Sequence, residues 1–389
     1  MNKKYIDSLF VTAMVFAIIG LFSLIPFKTG ILDPIGRAIS DFDIYDLVFS
    51  RLRPEQKADT SIVLVNIGNL DRGSIARQID TLNKYSPKVV AMDIFFWTEK
   101  NAQSDSALSR ALTKCQKLVM VSMLSKFNDE KDTYDTLITS TGKFRAKALT
   151  GFANFPEDEK GGYRTIRSFQ PFALYKGTKI PAFPLKIVET ADKKSYQSFL
   201  RRNNQKEIIN YRGNFNKFYF LDANSLLEGN LKPWILRNKI VLMGFMGENM
   251  DTKILEDIFF TPLNERYAGR SFPDMYGVVI NANIVSMLLN ENFIDTMPYF
   301  LSLLLAITFC FLCALGLFTI KSHYKDWFGL AFKWFMLLLA ILELDLGVNI
   351  FNYFNYKINL TLLLAAIVLT PTCMDLYQSY IEKRLFKRT

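Results

Sequence analysis

The sequence predicts an α/β domain, three layers deep with a mostly parallel sheet, carried on four transmembrane helices, one before the domain and three after it. Three observations predict this. Between residues 62 and 124, β-branched apolar runs alternate with stretches of helical periodicity, the signature of parallel strands joined by crossover helices. Outside residues 28–296 lie four apolar stretches of about the length that crosses a hydrocarbon core of about 30 Å at 1.5 Å per residue. The 389 residues are 50% hydrophobic and 22% charged, with a mean hydropathy of +0.12, whereas soluble domains are about 25% charged.

Lys3 and Lys4 precede Leu9–Phe27, nineteen residues without a charge. No A-x-A site stands before Lys28, so residues 1–28 are expected to form an uncleaved signal anchor. Residues 29–60 are expected to be a juxtamembrane segment. Within it Asp33–Arg53 is amphipathic, with Ile39, Phe42, Leu47 and Leu52 set among charges. The outer domain, 61–296, opens with a strand at Ile62–Gly68 and a helix over Leu70–Tyr85 capped by Asp71. A strand at Lys88–Trp97 follows, then a helix over Ser104–Lys114 capped at Ser104 or Asp105, and a strand at Leu118–Leu124. Strands without alternating polarity fit a sheet covered on both faces. The middle is less regular: strands are expected at Thr150–Phe155, Tyr163–Ala173 and Glu207–Tyr211, and a helix at Phe183–Ala191. Lys239–Gly244 reads as a buried strand, and Asn281–Leu289 as a helix. Three spans follow within 297–374, at Met297–Ile320, Trp327–Phe351 and Ile358–Met374, then a basic tail, 375–389.

Lys and Arg set the orientation. Eight of them (Lys3, Lys4, Lys321, Lys325, Lys383, Arg384, Lys387, Arg388) fall on one side of the four spans, against Lys357 alone in the other short loop. Both termini are therefore cytoplasmic and residues 29–296 periplasmic, in a bacterial inner membrane. Of the 47 basic and 37 acidic residues, ten and six belong to the membrane parts, leaving the outer domain a mild net +6. With the outer domain on the far side of the membrane, nucleic acid is not an expected partner. A single histidine, His323, rules out a Ser-His-Asp triad and His-rich metal sites. Cys115 is alone in the outer domain, while Cys310, Cys313 and Cys373 lie in apolar runs, so neither an internal disulfide nor a four-cysteine zinc site can form there.

The chain resembles the type-two CHASE domain family, extracytoplasmic sensory modules of bacterial signalling receptors. The matching stretches are IVLVNIGNLD (62–71), SPKVVAMDIFF (86–96), DSALSRAL (105–112), GFANF (151–155), GGYRTIRSF (161–169), INYRG (209–213), NKIVLMG (238–244), DIFFTPL (257–263) and YGVVINANIVSMLL (276–289), in the family's order. The resemblance implies one span before the domain, three after, and a cyclase, kinase or diguanylate cyclase output. Here only about fifteen residues follow the last span, so no enzymatic output is expected. Gly68 and Asn69 stand where the family has a carboxylate pair, and Asn281 where it often has a histidine. Asp93, Asn154, Arg212, Asp257 and Asn283 fit the family pattern.

Ligands of open parallel sheets settle beyond the C-terminal strand ends. Asn66 to Asn69 and Asp93 are expected there, on adjacent strands, and Arg212 offers a planar fork for a carboxylate or phosphate. The expected ligand-binding set is Asn66, Asn69, Asp93, Asn154, Arg212, Asp257 and Asn283. Structural capping and pairing is the competing role for Asp93 and Arg212. No cofactor or metal is expected: Glu157–Asp158–Glu159 lacks the ligand spacing of a calcium loop, and the GFMG run at 244–247 lacks that of a phosphate loop. In the third span Glu343 and Asp345 are costly in lipid and either contact a membrane partner or reach the outer interface. The sequence thus reads as an inner-membrane sensor or accessory protein, not an enzyme, whose outer domain binds a small ligand or a protein and acts through a separate membrane partner or a homo-oligomer. The alternative is a structural subunit of an envelope complex.

Overall fold

The computed structural model describes residues 3–24, 43–145, 147–155, 165–229, 231–248, 257–265, 272–323 and 328–382. Residues 33–42 of the amphipathic segment, the acidic stretch 157–159, the glycines at 161–162 and the basic tail from 383 lie outside them. The chain forms two compact units, 1–48 with 295–389, and 49–294.

The second unit is an α/β domain on a nine-stranded sheet. Its strands are β1 (Asp59–Asn66), β2 (Val89–Asp93), β3 (Leu118–Asn128), β4 (Thr133–Thr139), β5 (Leu149–Phe152), β6 (Phe172–Tyr175), β7 (Thr178–Pro181), β8 (Phe218–Leu221) and β9 (Ile240–Gly244). They run in the order β8-β1-β9-β2-β3-β4-β6-β7, with β5 beside β3. The pairs from β8 through β3, and β3 with β5, are parallel, whereas β3 with β4 and β6 with β7 are antiparallel.

Helices α2 (Arg72–Lys84) and α3 (Ala102–Lys114) cover one face. Ile75, Ile79 and Leu82 of α2, with Leu108 and Leu112 of α3, pack on Val63, Val65, Val90, Met92, Val241 and Met243. Asp71 caps α2, accepting from the Ser74 amide at 2.6 Å. The cap of α3 is Asn101, three residues before the expected start, because its side chain accepts from the amides of Gln103 and Ser104. The other face, that of Ile62 and Leu64, is covered by α4 (Phe183–Ala191) and α6 (Gly277–Leu289), with α5 (Lys193–Leu200) packed on both. Helix α6 is buried along nearly its whole length, which explains why its sequence is apolar all round.

The first unit holds four apolar helices: α1 (Lys3–Leu24), α7 (Tyr299–His323), α8 (Phe328–Phe354) and α9 (Leu360–Leu376). Val11, Val15, Cys310, Ala314, Ala366 and Ile367 form their shared core. At one end Lys3 pairs with Glu382 at 2.8 Å and Lys4 bonds Ser322 at 3.1 Å. At the other end, Asp295–Thr296 does not run straight into its span but pairs with Tyr356–Lys357 as a two-residue parallel ladder. The Tyr45 hydroxyl there donates to the Ile358 carbonyl and accepts from the Ile358 amide. Within this unit, Asp43–Tyr45 and Asp295–Thr296 thus lie at the end of the bundle opposite Lys3 and Glu382.

Candidate functional site

Asn66 and Asp93 were expected on adjacent strands, but β9 lies between β1 and β2. Asn66 pairs in register with Gly244, and Gly244 with Asp93, so the two side chains stand level but about 10 Å apart, two strand spacings. Gly244 has its own packing reason, since a Cβ there would come within 2.8 Å of the Cβ of Val278. That close approach brings the first turns of α6 down onto the strand ends.

Three side chains meet there. Asn281, 1% exposed, donates its Nδ2 to Oδ2 of Asp93 at 3.0 Å. Asp257 sits in a turn at φ +58°, its carbonyl accepting from the Gly277 amide at 3.0 Å. A Cβ on Gly277 would lie 3.1 and 3.2 Å from its carboxylate oxygens. Burial pushes the Asp93 carboxyl above the ordinary range, against the pull of the Asn281 bond. Asp257 is exposed as a residue, but partial desolvation of its carboxyl raises it too, and the neighbouring Asp93 charge raises it further. Asn281 Oδ1 is buried with no hydrogen-bond partner.

A second buried acid lies at the other end of α6. Asp59, at the start of β1, accepts from the Ser61 amide and hydroxyl at 2.9 and 2.5 Å, from Ser286 at 2.6 Å and from Asn290 at 3.0 Å. Burial alone raises its carboxyl, but the Ser286 and Ser61 bonds and the Arg212 charge outweigh that and hold it below the ordinary value.

A family model described as CHASE2 domain matches residues 13–318, well over half of the chain. The chain belongs to the CHASE2 family. No curated protein and no solved structure matches it. CHASE2 domains are sensory and non-catalytic, and with four membrane-length apolar helices around one such domain the chain is a multi-pass inner-membrane protein of sensory or accessory type.

Within the CHASE2 domain, the seven expected ligand residues fall in several places. Asn66 joins the end of β1 to the loop after β9: it donates to Gly247 O at 3.0 Å and accepts from the amides of Gly68 and Met246, both at 2.9 Å. Exposed Asn69 bonds Glu248. Asn154 bonds both the amide and carbonyl of Leu124, extending the β3–β5 pairing. Asn283 accepts from the Arg212 amide and donates to Gly213 O. Arg212 bonds Ser286 at 2.9 Å and Lys57 O at 2.6 Å, beside Asp59. Of the seven, Asp93 and Asp257 alone come together around Asn281. Neither Asn281 nor Asp59 was in the expected set. The polar ADTS start at 58–61 was the one local signal for Asp59.

The same strand edge carries, on the face of α2 and α3, a cleft of about 620 Å³ between the starts of those helices. Its wall is a stacked pair, Phe95 on Trp97, with ring centroids 4.3 Å apart and Trp97 49% exposed. Arg72 on its floor is occupied, by Asp105 at 2.5 Å and Thr98 O at 2.6 Å. Among the described residues no group of three or more His, Cys, Asp or Glu side chains gathers. In the membrane unit, Glu343 and Asp345 differ: both Glu343 carboxylate oxygens are buried without a partner, whereas exposed Asp345 bonds Asn349 on its own helix at 3.0 Å.

Proposed function

We propose that this CHASE2 protein is the sensing member of a membrane complex. Its outer domain takes a signal at the C-terminal strand edge, where Asp93 and Asp257 converge, and its membrane unit passes that signal to a separate membrane protein. One observation carries the membrane half of this reading. On α8 the exposed side chains Trp334, Leu337, Leu338, Ile341, Leu342 and Leu346 recur at helical spacing and form one continuous stripe. Asp345 lies in that stripe. Nine residues before the helix end, it sits about 13 Å inside, where a carboxylate facing lipid is costly and one facing a partner's amide or basic side chain is not. Glu343, turned inward, serves helix pairing within the bundle.

The test is purification of the full chain in mild detergent from its native host after brief crosslinking. Wild type should bring down a stoichiometric membrane protein, and Asp345→Leu should lose it while keeping its own expression and outer-domain stability. The reading fails if Asp345→Leu retains every associated protein, or if the chain elutes alone. A homo-oligomer lost in the variant would make the partner a second copy.

A further inference from the structure

We propose that Asp93, Asp257 and Asn281 form a binding site for a hard divalent cation of the Mg²⁺ or Ca²⁺ kind. This deepens the reading of the strand edge as the signal-receiving side and rests on it; the membrane-partner reading stands or falls separately.

The geometry comes first. Asp93 closes β2, Asp257 occupies a turn held by the Gly277 amide, and Asn281 lies one helical turn beyond Gly277 on α6. The absence of a side chain at Gly277 leaves the space in which the Asp257 carboxylate rests against the helix. Three separate elements thus bring two carboxylates and an amide to one place, although nothing in their sequence spacing relates them.

The balance of charge comes second. Among the described residues no Lys, Arg or His pairs with either carboxylate, and the Asn281 Nδ2 is the one donor that Asp93 receives. Two neighbouring acids without a counter-charge, Asp93 half-buried and Asp257 exposed, repel each other as a dianion. The independent observation is the Asn281 carbonyl oxygen. The residue is 99% buried, its amide lies against Asp93, and Oδ1 has no donor. A buried acceptor left so costs about 1–3 kcal/mol. A cation held between the carboxylates, with the amide oxygen and water completing its shell, satisfies all three groups.

The donor set selects the ion. All the available atoms are oxygen, which favours Mg²⁺, Ca²⁺ or Mn²⁺ over zinc or copper. Two carboxylates with several retained waters is a common Mg²⁺ arrangement. The sulfur and imidazole ligands that would draw softer metals are absent: Cys115 follows α3 on the opposite face of the sheet, and His323 is in the membrane unit.

The experiment uses the full chain in lipid nanodiscs, stripped with EDTA and titrated calorimetrically with MgCl₂ and, separately, with CaCl₂. One saturable site per chain is expected for at least one ion, weakened at least tenfold by Asp93→Asn and by Asp257→Asn. The same ion should raise the unfolding temperature of the wild-type outer domain but not that of either variant. Because Asp→Asn keeps the shape and removes the repulsion, each variant without metal should unfold at or above the wild-type temperature, which shows that lost binding is not lost folding. No saturable binding of either ion, or equal binding in both variants, overturns the proposal. In that case retention of a partner through Asp345 still decides the membrane reading on its own.

Discussion

The two ends of α6 treat the carboxylates beside them in opposite ways. At its C-terminal half, Asp59 receives four hydrogen bonds, from Ser61, Ser286 and Asn290, with Arg212 nearby, and its charge is stabilised. At its N-terminal half, Asp93 receives one amide donor, from Asn281, and its charge adds to the cost of ionising the neighbouring Asp257. Both clusters lie on the same face of the same sheet and are packed by the same helix. The difference teaches that burial does not by itself mark a functional acid. What marks it is a charge and neighbouring polar groups left without partners, because a cluster complete in itself has no use for a ligand.

Four perturbations would break or sharpen that contrast. The largest effect is expected from Asp59→Ala, which leaves Ser61, Ser286 and Asn290 without this acceptor and Arg212 without the neighbouring charge, and should cost about 3 kcal/mol of outer-domain stability, read by denaturant unfolding of the full chain. Asp59 also has a pH signature. Its folded-state value is depressed, so its contribution is fully present above the unfolded aspartate value of about 4 and is lost as pH falls through the folded value. Asp59→Asn should remove that part of the acid sensitivity, and an unchanged acid transition would contradict the satisfied-anion description.

Gly244→Ala comes next, at about 1–3 kcal/mol from overpacking β9 against α6. The clash is with Cβ, Cγ2 and Cγ1 of Val278, at 2.8, 2.9 and 3.2 Å, of which alanine retains the first. Adding Val278→Ala should therefore restore stability only in part, and no rescue at all would show the decisive contact to be elsewhere.

Asp93→Asn should act in the reverse direction. In EDTA at pH 8 it replaces an uncompensated, half-buried charge by a neutral group of the same shape and should stabilise the domain by about 1 kcal/mol; a loss of similar size would mean that the charge is already compensated. The smallest effect is expected from Trp97→Ala. Half-exposed on the cleft wall, it should change stability by less than about 0.5 kcal/mol, so any larger loss in signalling would assign it to recognition rather than to the core.

Much of the fold could be read from local pattern. The β1-α2-β2-α3-β3 run, α4 and β9 were legible because each buries a face whose period is visible in the chain. Less was legible where pattern is weak: β4 and β8 went unseen, the expected strand over 163–173 is broken into Ser168–Phe169 and β6, and α5 lacks a strong apolar stripe. Strand order was invisible altogether, since the apolar run Ile240–Gly244 has the same character whether it lies at an edge or between β1 and β2. That insertion separates Asn66 from Asp93. Site chemistry was legible as residue types rather than as roles. Asn154, Arg212 and Asn283 are polar groups in family-like positions, yet backbone amides and carbonyls, which leave no trace in side-chain sequence, take up their hydrogen bonds.

The short ladder at the outer end of the bundle has a mechanical consequence. Asp295 and Met297, on the chain returning to the membrane, bond the carbonyls of Asn355 and Lys357 at 2.9 and 2.8 Å. Asp43 and Tyr45, on the chain leaving it, hold Lys357 and Ile358. Both necks are therefore moored to one hairpin, the loop joining α8 to α9. A displacement of either neck therefore loads the shared mooring, to which both α8 and α9 are directly attached.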